Sequence, residues 1–223
     1  MIAIELHPRI IESKDWATVI FVLSLVIIVI AKSAFENRFN DFVRLLFSNK
    51  YIKIYRESSH LMGGFNILLF FVNLISFSFF IQLIFVQIGL AEKTDGILYI
   101  RTFTFLAVFI LSKFLIEMIF ATIFGIEEIV EQFNLQKLTY RTYIGLILLP
   151  ISIFLFYNNF SSNYLIYSII IALFSINLLT YLLLLKNNQS LIFGKLFYFI
   201  LYLCTLEIAP YYFMYYLITK NFS

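Results

Sequence analysis

Long apolar runs alternate with short charged segments along this chain, and none of the long runs switches between apolar and polar residues with the period of two that a half-buried strand requires. Six windows, roughly 16–34, 65–90, 97–124, 138–157, 164–185 and 194–219, approach or exceed the apolar length of a membrane-crossing helix, about 20 residues. Lipid offers the backbone no hydrogen-bond partner, so each window is expected to be helical. A barrel would instead show alternation over ~10-residue strands, and runs such as 19–30 and 182–185 show none. The expected fold is all-α: a polytopic membrane protein of six transmembrane helices, forming one integral domain over 1–223.

Two further segments have helical periodicity without the apolar length. In 38–57, Phe39, Phe42, Val43 and Leu46 recur at helical spacing, Tyr51, Ile54 and Tyr55 continue the series, and basic residues lie between them. In 126–137, Ile126, Ile129, Val130 and Phe133 form a stripe opposed by Glu127, Glu128 and Glu131. Both patterns suit interfacial amphipathic helices lying among headgroups. Anchoring at the membrane surface accounts for them more simply than docking of a partner does.

Composition closes off the other classes. Of the 223 residues 62% are apolar and 13% charged, where a soluble domain carries about 45–50% and about 25%. Disorder needs low hydrophobicity, and a disulfide scaffold needs more than the single Cys204. The residues before the first window include Glu5, Arg9, Glu12, Lys14 and Asp15, an acidic balance unlike the positive leader of a signal peptide.

Lysine and arginine then set the orientation. Lys32, Arg38, Arg44, Lys50, Lys53 and Arg56 follow the first window, Lys137 and Arg141 precede the fourth, and Lys186 and Lys195 precede the sixth. The opposite side has Arg9, Lys14, Lys93, Arg101 and Lys220. The richer side is expected to be cytoplasmic, which places both termini in the periplasm of a multi-pass inner-membrane protein.

Charge inside a span costs about 2.5–3.5 kcal/mol on insertion scales and calls for a partner or a task. Lys113 and Glu117 stand one turn apart in the third window, and Glu207 lies near the middle of the sixth, three residues before Pro210. At 1.5 Å per residue, Lys113 and Glu207 lie ~16 and ~20 Å from the cytoplasmic ends of their helices, nearly one level, which predicts an ion pair between them. Glu117 lies lower, at ~10 Å, within reach of Arg141 or Lys195. Pro150 and Pro210 each remove a backbone hydrogen bond within a span. Pro210 frees the Leu206 carbonyl beside Glu207, with Cys204 one turn earlier, although a lone membrane cysteine is ordinarily a small packing residue. The candidate polar site is therefore Lys113, Glu117, Cys204, Glu207 and Pro210, with Arg141 and Lys195 secondary. Two readings stay open, a structural pair that fixes helix register and a relay or substrate site.

Catalytic equipment is scarce. Both histidines, His7 and His60, lie outside the windows, and the chain contains no H-E-x-x-H, G-x-S-x-G or glycine-rich phosphate loop. No cysteine or histidine cluster suggests a metal or haem. No cofactor, metal or catalytic residue is assigned. Gly is sparse for a transporter built from broken helices, and the shared Arg101-Thr102-Phe103 and Arg141-Thr142-Tyr143 openings are too short to make a repeat.

The stretch Leu201-Tyr202-Leu203-Cys204-Thr205-Leu206-Glu207-Ile208-Ala209-Pro210 resembles the C-terminal YLCxLExxP signature of an uncharacterised family. That family comprises small polytopic inner-membrane proteins of Bacteroidota, known only as a domain of unknown function. Arg141-Thr142-Tyr143-Ile144-Gly145 leading to Leu148-Leu149-Pro150, Trp16, and the exit from the first window at Phe35–Phe39 are also similar. The resemblance implies the inner membrane of a didermic bacterium and no activity. Three functions are carried forward. The first is a non-enzymatic assembly factor or subunit of a cell-envelope complex that binds a membrane partner or a second copy. The second is a small transporter or proton-coupled channel using Lys113, Glu117 and Glu207, and the third is an intramembrane enzyme on a lipid substrate. Membrane lipids are expected partners and nucleic acid is not.

Overall fold

A computed structural model describes residues 14–43, 63–158 and 163–187, and every regular element among them is a helix. In chain order these are α1 (Asp15–Ala34), α2 (Glu36–Val43), α3 (Gly64–Gln87), α4 (Gly96–Phe124), α5 (Glu127–Tyr157) and α6 (Asn163–Asn187). Among the described residues four helices are long and apolar enough to cross a membrane: α1, α3, α4 and the Phe133–Tyr157 part of α5. In α6 the apolar stretch is the shorter Tyr164–Thr180. These helices fit a multi-pass membrane protein, and four of the six expected spans are met among the described residues. The sixth window at 194–219, with Lys195, Cys204, Glu207 and Pro210, lies outside the described residues, as does 44–57 of the expected interfacial segment.

Helix ends follow from local chemistry. The window at 65–90 overlaps α3, but the helix stops at Gln87 because Gly89 takes a left-handed φ of 80°. Its N–H donates to Val86 O, and the next N–H, of Leu90, to Phe85 O. This is the Schellman arrangement, which satisfies carbonyls the helix would otherwise leave open. The same closure ends α4, where Gly125 has φ 61° and the Ile126 N–H reaches back to Ala121 O at 3.0 Å. At the start of α4, Asp95 is the N-cap, its carboxylate accepting from the Leu98 N–H at 2.9 Å.

One expected boundary is absent. The segments 126–137 and 138–157 form a single helix, α5, without a break between interfacial and spanning parts. No Gly or Pro falls between Glu127 and Tyr140 to interrupt it. The stripe expected to lie on lipid instead faces protein, for Ile126, Val130 and Phe133 are all buried. Phe42 of α2 is buried as well, with its ring 5.8 Å from Phe65 and 5.7 Å from Tyr143. Pro150 lies inside α5, which remains helical to Tyr157.

Burial ranks the helices. Of the spanning windows, 61% of α3 is buried and only 11% of α4, so α3 is the axis of the bundle and α4 its outer wall. The most extensive packing is between α3 and α5. There the Asn73 Nδ2 donates to Arg141 O at 2.8 Å and the Ser76 hydroxyl to Gly145 O at 2.8 Å. A Cβ at Gly145 would fall 2.4 Å from Asn73 Nδ2 and 3.1 Å from its Cα, so only glycine permits this approach. Small residues with polar cross-links are a general solution for helices in lipid, where apolar surface alone gives little drive to associate.

At the α1 N-terminal end, Trp16, Phe21, Phe79, Tyr99 and Phe156 form an aromatic core. Phe79 lies at its centre, with ring centroids 4.0 Å from Phe21 and 4.4 Å from Tyr99. Trp16 lies beside Gly96 at the start of α4. Lys93, in the α3–α4 connection, closes the end of α5 by donating to the carbonyls of Leu155, Phe156 and Asn158. Burial, and secondarily the charge of Lys14, holds its pKa below the ordinary lysine value.

Candidate functional site

Residues at helical spacing on three helices converge toward the other end of the bundle. On α4 the series is Phe105, Phe109, Lys113 and Glu117, each one turn from the last. On α5, Asn134, Lys137, Leu138 and Arg141 share one face, and α3 contributes Asn66, Ile67 and Phe70. The α3–α5 crossing fixes the rotation of α5, since Asn73 holds the carbonyl of Arg141 itself. Together these residues line a cavity of about 430 Å³.

Its charged end is built around Glu117. The carboxylate is almost fully buried, its side chain only 3% exposed, with Oε1 3.3 Å from Lys137 Nζ and 3.8 Å from Lys113 Nζ. Two ammonium groups thus converge on one carboxylate oxygen. Arg141 lines the same cavity with its guanidinium over the Phe77 ring at 5.8 Å. Arg38 of α2 donates to Asn66 Oδ1 at 3.2 Å, which ties the start of α3 to α2. The lining therefore carries Lys113, Lys137 and Arg141 together with Glu117, beside apolar walls. Removing one partner from a buried ion pair costs about 3–5 kcal/mol.

Sequence reasoning singled out Lys113, Glu117 and Arg141, and the structure places all three around one cavity. The bridge to Glu117 comes from Lys137, which the sequence reading counted only as a loop charge. Asn134 was missed too. Once 126–157 is read as one helix, the spacing of Asn134, Lys137 and Arg141 places them on one face, and that signal was present in the sequence. Lys195, Cys204, Glu207 and Pro210 lie outside the described residues.

The family comparison bears on the whole arrangement. A domain of unknown function, DUF4271, matches residues 17–218. The chain belongs to the DUF4271 family. The matched range takes in every helix of the cavity and runs on through Cys204, Glu207 and Pro210. No curated protein and no solved structure matches the chain.

Proposed function

We propose that this DUF4271 protein is a multi-pass inner-membrane protein that holds a ligand in the cavity between α3, α4 and α5, as a binding subunit and not as a catalyst. The cavity carries this reading: about 430 Å³, walled by Phe, Ile and Leu, with three cations and one carboxylate. Ligand pockets of this kind are largely apolar and place a few polar groups to fix orientation. Its described lining contains no Ser, Thr, Cys, His, Asp or Tyr, so the side chains around it supply charge and shape but no hydroxyl or thiol nucleophile. A relay or transport role would use the same residues, with Glu117 between two lysines as its centre. The expected cytoplasmic side is the charged end, and both termini are then periplasmic.

Photocrosslinking tests the binding reading. A benzophenone side chain replacing Phe109 faces the cavity, whereas one replacing Val108, 58% exposed, faces outward. In native membranes, irradiation should give a discrete small-molecule adduct at position 109 that is absent at 108. Identical lipid adducts at both positions would sink the reading.

The assembly reading is favoured by the exposed outer surface of α4, where Leu115, Ile119 and Ile123 form one ridge. A protein–protein crosslink from position 108 in native membranes would support it, and lipid adducts alone would not.

A further inference from the structure

We infer that the ligand of this cavity is an uncharged amphiphile, a lipid whose head both donates and accepts hydrogen bonds at Asn134 and whose chain runs along Phe109 and Phe105. The inference rests on the binding reading above and adds the chemical class. Three observations carry it.

Asn134 comes first. It is 5% exposed, lines the cavity, and neither its Nδ2 nor its Oδ1 has a hydrogen-bond partner among the described residues. Buried amides are ordinarily satisfied. Nδ2 needs an acceptor and Oδ1 a donor, and exchanging the two atoms leaves the same need. An ester, ketone or ether oxygen meets only the first, and an ammonium only the second. A hydroxyl or a carboxamide meets both. Water does so too, but apolar cavities stay dry, and most of these walls are Phe, Ile and Leu.

The charges of the lining come second, because they are already engaged. Lys137 and Lys113 both reach Glu117 Oε1, the Arg141 guanidinium lies over Phe77, and all three cations have further interactions. A charged head would compete with these pairings. An uncharged one leaves them whole.

The third observation is the direction of the cavity. Asn134 is the second residue of the apolar stretch Phe133–Tyr157, which puts it near the membrane surface. Glu117 lies eight residues before Gly125 and Asn134 nine after it, so the two are level on antiparallel α4 and α5. From that level the α4 wall runs through Phe114 and Phe109 to Phe105, twelve residues from Glu117 or ~18 Å. Ile67 and Phe105 line the cavity yet are exposed, so it opens on the apolar outer surface and is entered from lipid. A head at Asn134 and a chain toward Phe105 keep the orientation an amphiphile has in its leaflet.

Native mass spectrometry of the full-length protein in detergent tests the inference. The probes, titrated separately, are monodecanoylglycerol, its diacetate, decanamide, decanoyl lysophosphatidic acid and glycerol. The diacetate keeps the chain and the acceptors and has no O–H. Monodecanoylglycerol should bind at least ~10-fold more tightly than the diacetate, the scale of one buried group left unpaired, and more tightly than lysophosphatidic acid or glycerol. Asn134→Leu removes no described hydrogen bond. It should lower monodecanoylglycerol to the affinity of the diacetate and leave the diacetate unchanged, which also shows that the variant is folded. Decanamide binding more tightly than monodecanoylglycerol, and weakened by the same substitution, would make the head an amide; the reverse order would make it an alcohol. Equal binding of monodecanoylglycerol and its diacetate, or no effect of Asn134→Leu, would overturn the head assignment while the binding reading stands. Tighter binding of lysophosphatidic acid would overturn its neutrality, and glycerol binding as tightly would overturn the amphiphile. If no probe binds, the inference falls, and the binding reading falls with it only where position 109 gives no adduct.

Discussion

The two ends of the bundle are held by different physics. At one end Phe79, buried among Trp16, Phe21, Tyr99 and Phe156, is fixed by shape: rings from four helices close on one another with centroids as near as 4.0 Å. At the other, Glu117 is buried between Lys113 and Lys137 beside an open volume of about 430 Å³. Stacked rings hold a structure with nothing missing, since their contact surface is complete. A buried carboxylate beside a cavity is stable only while its ion pairs are kept, and its geometry leaves room for something else. The aromatic end therefore reads as scaffold and the charged end as site.

Removing Glu117 should break the charged end most severely. Glu117→Gln removes a carboxylate that two lysines share and is expected to cost about 3–5 kcal/mol, read as a loss of the folded fraction in SDS-titration unfolding. Adding Lys113→Leu should restore part of that loss, and no rescue would mean that charge balance is not what matters there. At the aromatic end Phe79→Ala should cost a similar ~3–5 kcal/mol, and Phe79→Leu should recover most of it. The photocrosslinked adduct at position 109 should be unchanged in the Leu variant; if it is lost, the two ends are coupled and the contrast between them fails.

Gly145→Ala tests the crossing that positions the site for both ends. The added Cβ meets Asn73 side chain and backbone, for an expected ~1–3 kcal/mol, and pairing it with Asn73→Ala should relieve only the side-chain part. The smallest effect is electrostatic, at Lys93. Its folded pKa lies below the ordinary value of 10.5. Between the two values the unfolded chain binds the extra proton, so stability should rise with pH through that window and level off above 10.5. Lys14→Gln removes the lesser cause of the shift and should flatten the rise, measured as the SDS unfolding midpoint from pH 8 upward.

Much of this was legible residue by residue. Apolar runs with no period-two alternation identify spanning helices, because lipid allows the backbone no other economy of hydrogen bonds. Charges within such runs pick out Lys113 and Glu117 for the same reason. The merged α5 was harder to read, since polarity changes near residue 138 while nothing in the backbone does. Glutamates and an apolar stripe suggested a surface helix, and tertiary packing buried Ile126, Val130 and Phe133 instead. Reading the segment as two helices split Asn134 and Lys137 from Arg141 and concealed half of the site.

By itself the sequence determined the solvent, the helical class and the rarity of buried charge, since each depends only on the local transfer cost of side chains and peptide groups. Only the tertiary structure decided which charges meet. That choice depends on the rotation of α5 about its axis, set by Asn73 and Ser76 gripping the backbone at Arg141 and Gly145. No local pattern encodes that rotation, because it is a relation between two helices separated by some seventy residues of chain. It brings Lys137 to Glu117 and leaves the cavity between them and α3.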